Sequence, residues 1–179
     1  MRTTLNKIRE HSPCKSGWEK LLKYLGKTKA DDEDISVLTI LDSNGLDDAI
    51  WCLRAVEGHD KDIRLFAVWC ARQVQHLMKD PRSVDALDVA ERYANGEATK
   101  AELTAAWGAA RDAWGAARDA ASGAARDAAM PDADDAARGA AWAARDAAWA
   151  DADDAAMADA RDEMGQRQEA ELRRICEEG

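Results

Sequence analysis

Short motifs that mark catalytic or metal centres are missing from this sequence. Its three histidines, His11, His59 and His76, do not fall in a metal-ligand spacing such as HExxH. The GxSxG nucleophile motif, the Walker loop and the GxGxxG nucleotide-binding turn are also absent. We therefore predict that the protein is not an enzyme and that it uses no metal or other cofactor.

Cysteine and long apolar runs are also scarce. Cys14, Cys52, Cys70 and Cys176 are far apart and form no CxxC pair, which argues against a zinc site or a disulfide framework. The first residues lack the apolar core of a signal peptide, and no run of about 18 apolar residues suggests a membrane span. These absences predict a cytoplasmic protein that does not enter a membrane.

Acidic residues outnumber basic ones, and the excess lies in the second half of the chain. Residues 1–98 contain 15 Lys and Arg against 17 Asp and Glu, a net charge of −2. Residues 99–179 contain 10 against 18, a net charge of −8. An acidic protein repels nucleic-acid phosphates and anionic lipids. We therefore expect no direct nucleic-acid or membrane binding, whereas a partner with a basic surface fits this charge.

Short helical patterns with clear boundaries fill residues 1–98. Apolar residues recur at helical spacing, and Ser16 and Ser83 are predicted to cap two of the helices. Pro81 is predicted to end the strongest apolar segment, which covers residues 60–79. No strand-like alternation appears in the chain. The predicted fold is all-α, with residues 1–98 forming a compact helical bundle.

Residues 99–179, called the tail below, are rich in alanine and repetitive. The pattern Trp-Gly-Ala-Ala-Arg-Asp begins at Trp107 and again at Trp114. A related copy begins at Ser122, and a shortened one begins at Trp142. Such a composition favours helix throughout the tail.

The tail is predicted to form two long helices, over residues 99–130 and 132–177. Thr99 and Glu102 have the spacing of a capping box at the first helix start, and Pro131 is the strongest helix breaker between the two. We expect an antiparallel helical hairpin, packed on or extending from the first bundle. Interior glycines make kinks or a split second helix plausible.

Tryptophan and alanine in the tail are spaced to form a helical seam. With Trp107 and Trp114 at heptad position a, Ala110 and Ala117 occupy position d. This alternation lets another helix approach closely, and tryptophan is expected to fill the wider layers.

Arginine recurs four residues from tryptophan, so each pair shares a helix face and the guanidinium is expected to lie on the indole. The expected pairs are Trp107 with Arg111, Trp114 with Arg118, Trp142 with Arg138, and Trp149 with Arg145. The aspartate next to each arginine is expected to point away, because adjacent helical residues do not face each other. These aspartates are predicted to form an acidic outer ridge.

The acidic ridge is the predicted partner-binding surface. It is joined by two carboxylates at the start of an earlier helix. The predicted partner-binding residues are Asp47, Asp48, Asp132, Asp134, Asp135, Asp151, Asp153 and Asp154. We expect them to meet a basic surface on a protein partner.

Two stretches of the chain resemble immunity proteins encoded by phages and prophages. They are LDSNGLDDAIWCLRA at residues 41–55 and RLFAVWCAR at residues 64–72. The tails of those proteins carry the same AARDAAW theme as residues 105–149, and the resemblance covers residues 5–175. It implies an all-helical protein that neutralises a toxin by binding it. No catalytic residue is implied.

The leading hypothesis is therefore a non-enzymatic binding protein, of the immunity or phage counter-defence type, that blocks a toxin, a host nuclease or another defence protein. One alternative is a structural protein that forms homo-oligomers through the Trp/Ala seam. Another is a nucleotide or small-molecule sponge with a pocket lined by tryptophan and arginine. The exposure of Trp107, Trp114, Trp142 and Trp149 distinguishes a seam inside the molecule from an interface.

Overall fold

Helices make up nearly all the regular structure of the computed structural model, which describes residues 1–117, 119–152 and 156–178. The helices are α1 (Leu5–Glu10), α2 (Lys15–Tyr24), α3 (Val37–Asn44), α4 (Leu46–Cys52), α5 (Asp60–Arg72), α6 (Pro81–Ala94), α7 (Lys100–Ala117), α8 (Ala120–Ala128), α9 (Ala133–Asp151) and α10 (Met157–Glu178). Short 3-10 turns cover Leu53–Ala55 and Gln75–Leu77. The predicted all-α helical bundle is confirmed.

Two short strands contradict the expectation that the chain has none. β1 (Arg2–Thr4) and β2 (Asp34–Ser36) pair in antiparallel fashion, with Thr3 opposite Ile35. Each strand leads directly into a helix, because its last residue is the N-cap: Thr4 caps α1 and Ser36 caps α3. Three residues are too few to display the alternation by which a strand is recognised in a sequence.

Two helix starts differ from their predicted positions by a few residues. Cys14 caps α2, so Ser16 lies inside that helix and is not its cap. Asp80 caps α6 in place of Ser83, which is buried within the helix. Pro81 begins α6, because the first turn of a helix does not need the backbone N–H that proline lacks.

Four helices, α7 to α10, replace the two long helices predicted for the tail. Asp119 begins α8 as its N-cap, and its carboxylate accepts hydrogen bonds from Ser122 N at 2.7 Å and Ser122 Oγ at 3.1 Å. The break near Pro131 is confirmed, since α8 ends and α9 begins on either side of it. The capping box is confirmed as well: Thr99 N donates to Glu102 Oε2 at 2.7 Å, and Glu102 N donates to Thr99 Oγ1 at 3.2 Å.

The chain divides into two compact units, Met1–His59 with Arg173–Gly179, and Asp60–Leu172. Within the first unit, Met1 N donates to Cys176 O at 3.2 Å, and Arg173 pairs with Asp42 at 2.7 Å. The boundary predicted between residues 98 and 99 lies inside the second unit, where α6 and α7 pack against each other.

Large aliphatic side chains form the core of the first unit. They come mainly from α1, α3, α4 and the 3-10 turn that follows α4. The fully buried large residues of this unit are Leu5, Ile8, Val37, Ile40, Ile50 and Leu53. Burial of such side chains contributes roughly 1.5–3 kcal/mol each, which is the usual driving force for a small helical core.

Alanine forms most of the interior of the second unit. Within this unit α9 packs most extensively against α5 and α8. Large side chains are buried on α5 and α6, but α8 and α9 meet mainly through small ones. The buried alanines of α7 to α9 include Ala110, Ala113, Ala121, Ala124, Ala125, Ala128, Ala136, Ala137, Ala140, Ala141, Ala144 and Ala147. Small contact residues allow helix axes to lie close together.

Candidate functional site

The tryptophans of the tail lie mostly outside its alanine interior. Trp114, Trp142 and Trp149 are 37%, 49% and 46% exposed, whereas Trp107 is partly buried against the core of the second unit. The first three therefore do not fill the layers of a seam inside one chain, which is one of the two arrangements that the sequence leaves open. Interiors are close-packed, so helices that meet through alanine leave no space for an indole between them.

Two of the exposed tryptophans share one side of α9 with four charged residues. Successive residues of a helix are about 100° apart, which places all six within about 60° of Trp142 around the helix axis. We call this set the α9 face: Asp135, Arg138, Trp142, Arg145, Asp146 and Trp149. The buried alanines of α9 lie on the other side of the helix. The α9 face is thus a solvent-exposed stripe of aromatic and charged side chains.

Arginine side chains cover the indoles of the tail. The pairs are Arg111 on Trp107, Arg126 on Trp114 and Arg145 on Trp142, with 5.3, 4.3 and 5.4 Å between guanidinium carbon and ring centroid. The predicted pair of Trp107 and Arg111 is confirmed. Trp114 has its partner on α8, and its predicted partner Arg118 lies outside the described residues. Two of these stacked arginines also have hydrogen-bond partners: Arg126 Nε donates to Asp127 at 2.6 Å, and Arg145 Nε donates to Ala141 O at 3.4 Å.

A glycine on α8 brings Trp114 close to α9. A Cβ at Gly123 would lie 3.4 Å from Trp114 Nε1 and 3.9 Å from the Cβ of Ala143. The missing side chain leaves room for the indole to lie over α8, beside the residue that follows Trp142. Trp114 therefore adds a third exposed indole next to the α9 face.

Asp127 is a buried carboxylate of this region, and no pattern in the sequence distinguishes it from the other aspartates of the tail. It is 6% exposed and accepts a hydrogen bond from Arg126 Nε at 2.6 Å, so the expectation that this aspartate points away from its neighbour is wrong. Burial raises the pKa of Asp127, and the Arg126 guanidinium opposes that shift only in part. A Cβ at Gly139 would lie 2.7 Å from Asp127 Oδ2 and 2.8 Å from Asp127 Cβ, so glycine is required there.

The predicted partner-binding carboxylates belong to separate parts of the chain. Asp47 and Asp48 are in the first turn of α4, in the first unit. Asp47 is exposed, whereas Asp48 is half-buried and accepts a hydrogen bond from Asn44 Nδ2 at 2.7 Å. Asp153 and Asp154 lie outside the described residues. A role of these four residues in partner binding stays a prediction.

The other four carboxylates lie at the two ends of α9. Asp132, Asp134 and Asp135 are at its N-terminus, where negative charge is stabilised by the helix dipole. Asp151 is the last residue of α9. It lies about 25 Å from Asp134 along the helix axis, at 1.5 Å per residue, and about 180° around the axis from the middle of the α9 face. Of these four, only Asp135 belongs to the α9 face, and Asp151 is on a different side of the helix.

Two pockets of the second unit bear on the nucleotide-sponge hypothesis. The larger, about 430 Å³, is lined in part by Arg64, but that guanidinium donates to Met130 O at 2.6 Å and Pro131 O at 2.7 Å. The smaller, about 240 Å³, is lined in part by His76 and Arg167. Neither has a tryptophan in its wall. The pocket that the nucleotide-sponge hypothesis requires is therefore not one of these two.

The cysteines are free thiols, and three of them are buried. Burial raises the pKa of Cys52 to about 12 and also raises the pKa of Cys70 and Cys176, so these side chains behave as small apolar groups. Across residues 1–117, 119–152 and 156–178, no three His, Cys, Asp or Glu side chains converge as a possible metal site. In the same ranges, every helix is too short or too polar to cross a bilayer.

No family model matches the chain, and no curated protein or solved structure is similar to it. The resemblance to phage and prophage immunity proteins therefore stays a prediction. The functional assignment depends on the surface that the structure presents, above all on the α9 face and Trp114.

Proposed function

We propose that the protein acts by binding another protein through the α9 face and Trp114. The observation that supports this proposal is the exposure of three tryptophans in the tail, where most of the buried residues are alanine. Tryptophan and arginine are the residues most enriched in the energetically important centres of protein interfaces. A partner that covers these indoles would remove a large apolar area from water.

A purely structural role does not account for these side chains. At an exposed position of an alanine-rich helix, tryptophan forms helix less readily than alanine does. The indoles of Trp142 and Trp149 also leave about half of their surface in water, where alanine, lysine or glutamate would be more soluble. Exposed aromatic residues grouped on one face are characteristic of interaction sites.

The biological role that we propose is inhibition of a toxin, a host nuclease or another defence protein. This role is the one implied by the resemblance to phage and prophage immunity proteins. Steric blocking of a toxin or nuclease requires no catalytic residue. The net charge of −10 would speed the approach of a basic partner. The α9 face itself has two arginines and two aspartates, so contact there would depend on the indoles and on local ion pairs.

Affinity capture with matched variants tests this proposal. Three proteins are immobilised and incubated with lysate of cells that carry the gene: the wild type, the double variant Trp142→Ala/Trp149→Ala, and Tyr24→Ala. Tyr24 is 57% exposed and belongs to the first unit, so its variant controls for the loss of an exposed aromatic residue. We expect one protein to be retained by the wild type and by Tyr24→Ala. Its titration against the double variant should show affinity reduced at least ~30-fold.

Equal retention by the double variant would contradict the proposal. A parallel variant, Asp132→Asn/Asp134→Asn, tests the acidic surface predicted from the sequence. If that variant alone loses the partner, the carboxylates at the start of α9 are the binding site and the α9 face is not.

A further inference from the structure

The charged residues of the α9 face are segregated by sign. Arg138 and Arg145 lie about 40° and 60° to one side of Trp142, whereas Asp135 and Asp146 lie about 20° and 40° to the other side. We call these pairs the cationic flank and the anionic flank. The stripe of Trp142 and Trp149 runs between them, so the face has an aromatic centre with opposite charges on its two edges.

This arrangement is complementary to itself. If two copies of α9 lie side by side and parallel about a two-fold axis, the cationic flank of each copy faces the anionic flank of the other. Arg145 and Asp146 differ by about 1.5 Å along the helix and Arg138 and Asp135 by about 4.5 Å, which is within reach of an arginine side chain. An antiparallel arrangement would instead bring like charges together.

The indoles fit the same arrangement. Trp142 and Trp149 are seven residues apart, so a parallel pair of helices places each one opposite its counterpart in the other copy. Their two layers are about 10.5 Å apart along the axis. Both indoles, about half exposed in one chain, would then lie in the centre of the contact.

The ion pairs of the two flanks involve partly exposed side chains, and Arg145 lies over Trp142, from which it would have to move to reach Asp146 of another copy. Arg138 reaches Asp135 at 2.9 Å, and both side chains are 45% exposed. Arg161 reaches Asp146 at 3.4 Å, with side-chain exposures of 45% and 52%. Exposed ion pairs of this kind contribute little to stability, so they can exchange partners readily.

We infer that the occupant of the α9 face in the free protein is a second copy of the chain, bound as a parallel two-fold dimer. This inference rests on the proposed function, since it takes the same face as a protein interface. It adds regulation: the dimer must open before another partner can bind, which lowers the apparent affinity for that partner. A uniformly basic or acidic surface would be repelled by one flank, whereas a second copy is attracted by both.

Sedimentation velocity over a concentration series tests the dimer with charge-reversed variants. The wild type should dimerise, and Arg145→Asp and Asp146→Arg should each weaken the dimer at least ~10-fold, because each introduces like charges twice. An equimolar mixture of these two variants should recover the dimer, since each supplies the charge that the other lacks. Misfolded chains would not recover on mixing. Lys61→Asp, which makes the same charge change at an exposed position of α5, should dimerise like the wild type.

A wild type that stays monomeric over the whole series would overturn the inference, and so would a mixture that fails to recover the dimer. The single-chain double variant Arg145→Asp/Asp146→Arg distinguishes the two orientations, since it restores the facing pairs only in the parallel one. The capture experiment is independent of these results. A monomeric wild type that still retains its partner through Trp142 and Trp149 would contradict the dimer but not the proposed function. A wild type that dimerises but retains no partner would contradict the proposed function.

Discussion

Residues 1–98 and the tail are both helical, but they bury different side chains. In residues 1–98 the interior contains large residues such as Ile40, Phe66 and Leu87, all fully buried. In the tail the interior is mostly alanine, and three of the four tryptophans are at least 37% exposed. The size and apolarity of a side chain therefore do not alone decide its burial. The distance between helices decides which side chains fit between them.

This difference changes what each region tolerates. A buried Phe or Ile contributes far more apolar area than a buried Ala, so residues 1–98 should be sensitive to truncation of core side chains. Where α8 and α9 meet through alanine, truncation removes little apolar area, but the closely spaced helices have little room for added atoms.

Truncation of Phe66 in residues 1–98 should cost far more stability than truncation of Trp142 in the tail. Phe66→Ala removes a fully buried ring and should lower the free energy of unfolding by about 3–5 kcal/mol. Trp142→Ala removes an indole that is 49% exposed and should change it by less than about 1 kcal/mol in dilute, monomeric protein. Urea unfolding followed by circular dichroism measures both. A loss for Trp142→Ala as large as that for Phe66→Ala would mean that the tail buries its tryptophans after all.

Addition of one methyl group should distinguish the closely packed side of the tail from its open side. Gly139→Ala places a Cβ 2.8 Å from the Cβ of Asp127 and should destabilise the protein by about 1–3 kcal/mol. Gly108→Ala is the matched control, because no atom lies within 4 Å of its added Cβ. That variant should stabilise the protein by about 1 kcal/mol through helix propensity. Thermal unfolding of the two variants compares them, and equal shifts would contradict the close approach of α8 and α9.

Removal of an N-cap side chain should lower stability at Thr99, where the structure has a cap, but not at Ser16, where it has none. Thr99→Ala loses the reciprocal bonds with Glu102 and should lower stability by about 1 kcal/mol. Ser16→Ala should have almost no effect, since Cys14 caps α2. Urea unfolding of the two variants provides the measurement. A substantial loss for Ser16→Ala would instead support the cap at Ser16 that the sequence predicts.

The pH dependence of stability should report the buried Asp127. Burial raises its folded pKa above the ordinary value of 3.8, so the folded state binds the proton more tightly than the unfolded state does. As the pH falls from neutral through that raised pKa, the wild type should gain stability relative to Asp127→Asn, which does not titrate. Urea titrations at several pH values give the difference. A relative loss for the wild type would instead mean that attraction by Arg126 outweighs burial.

Sequence periodicity predicted which residues share a helix face, but not the direction of that face. Trp142 and Trp149 do lie on one side of α9, as their spacing of seven indicates. Whether that side points inward depends on the helices packed against α9, and those contacts are distant in sequence. Proline and the capping box at Thr99 gave correct boundaries because their effects are local.

The repeats of the tail made the boundary between α7 and α8 difficult to predict. The start of α8 was missed because the Arg-Asp pair recurs along the tail, and any of its aspartates is chemically suited to cap a helix. Only tertiary packing selects Asp119. The same repetition suggested one acidic ridge, whereas the helix geometry places Asp135 and Asp151 at different ends and on different sides of α9.

Oxidative footprinting of the individual tryptophans is the most direct test of an alanine interior with tryptophan outside. In dilute protein, Trp142 and Trp149 should be oxidised faster than Trp107, whose indole N–H is buried. Mass spectrometry of the digested protein gives each rate separately. If Trp142 and Trp149 are protected as strongly as Trp107 in the monomer, the tail is packed through its tryptophans and the α9 face is not a surface.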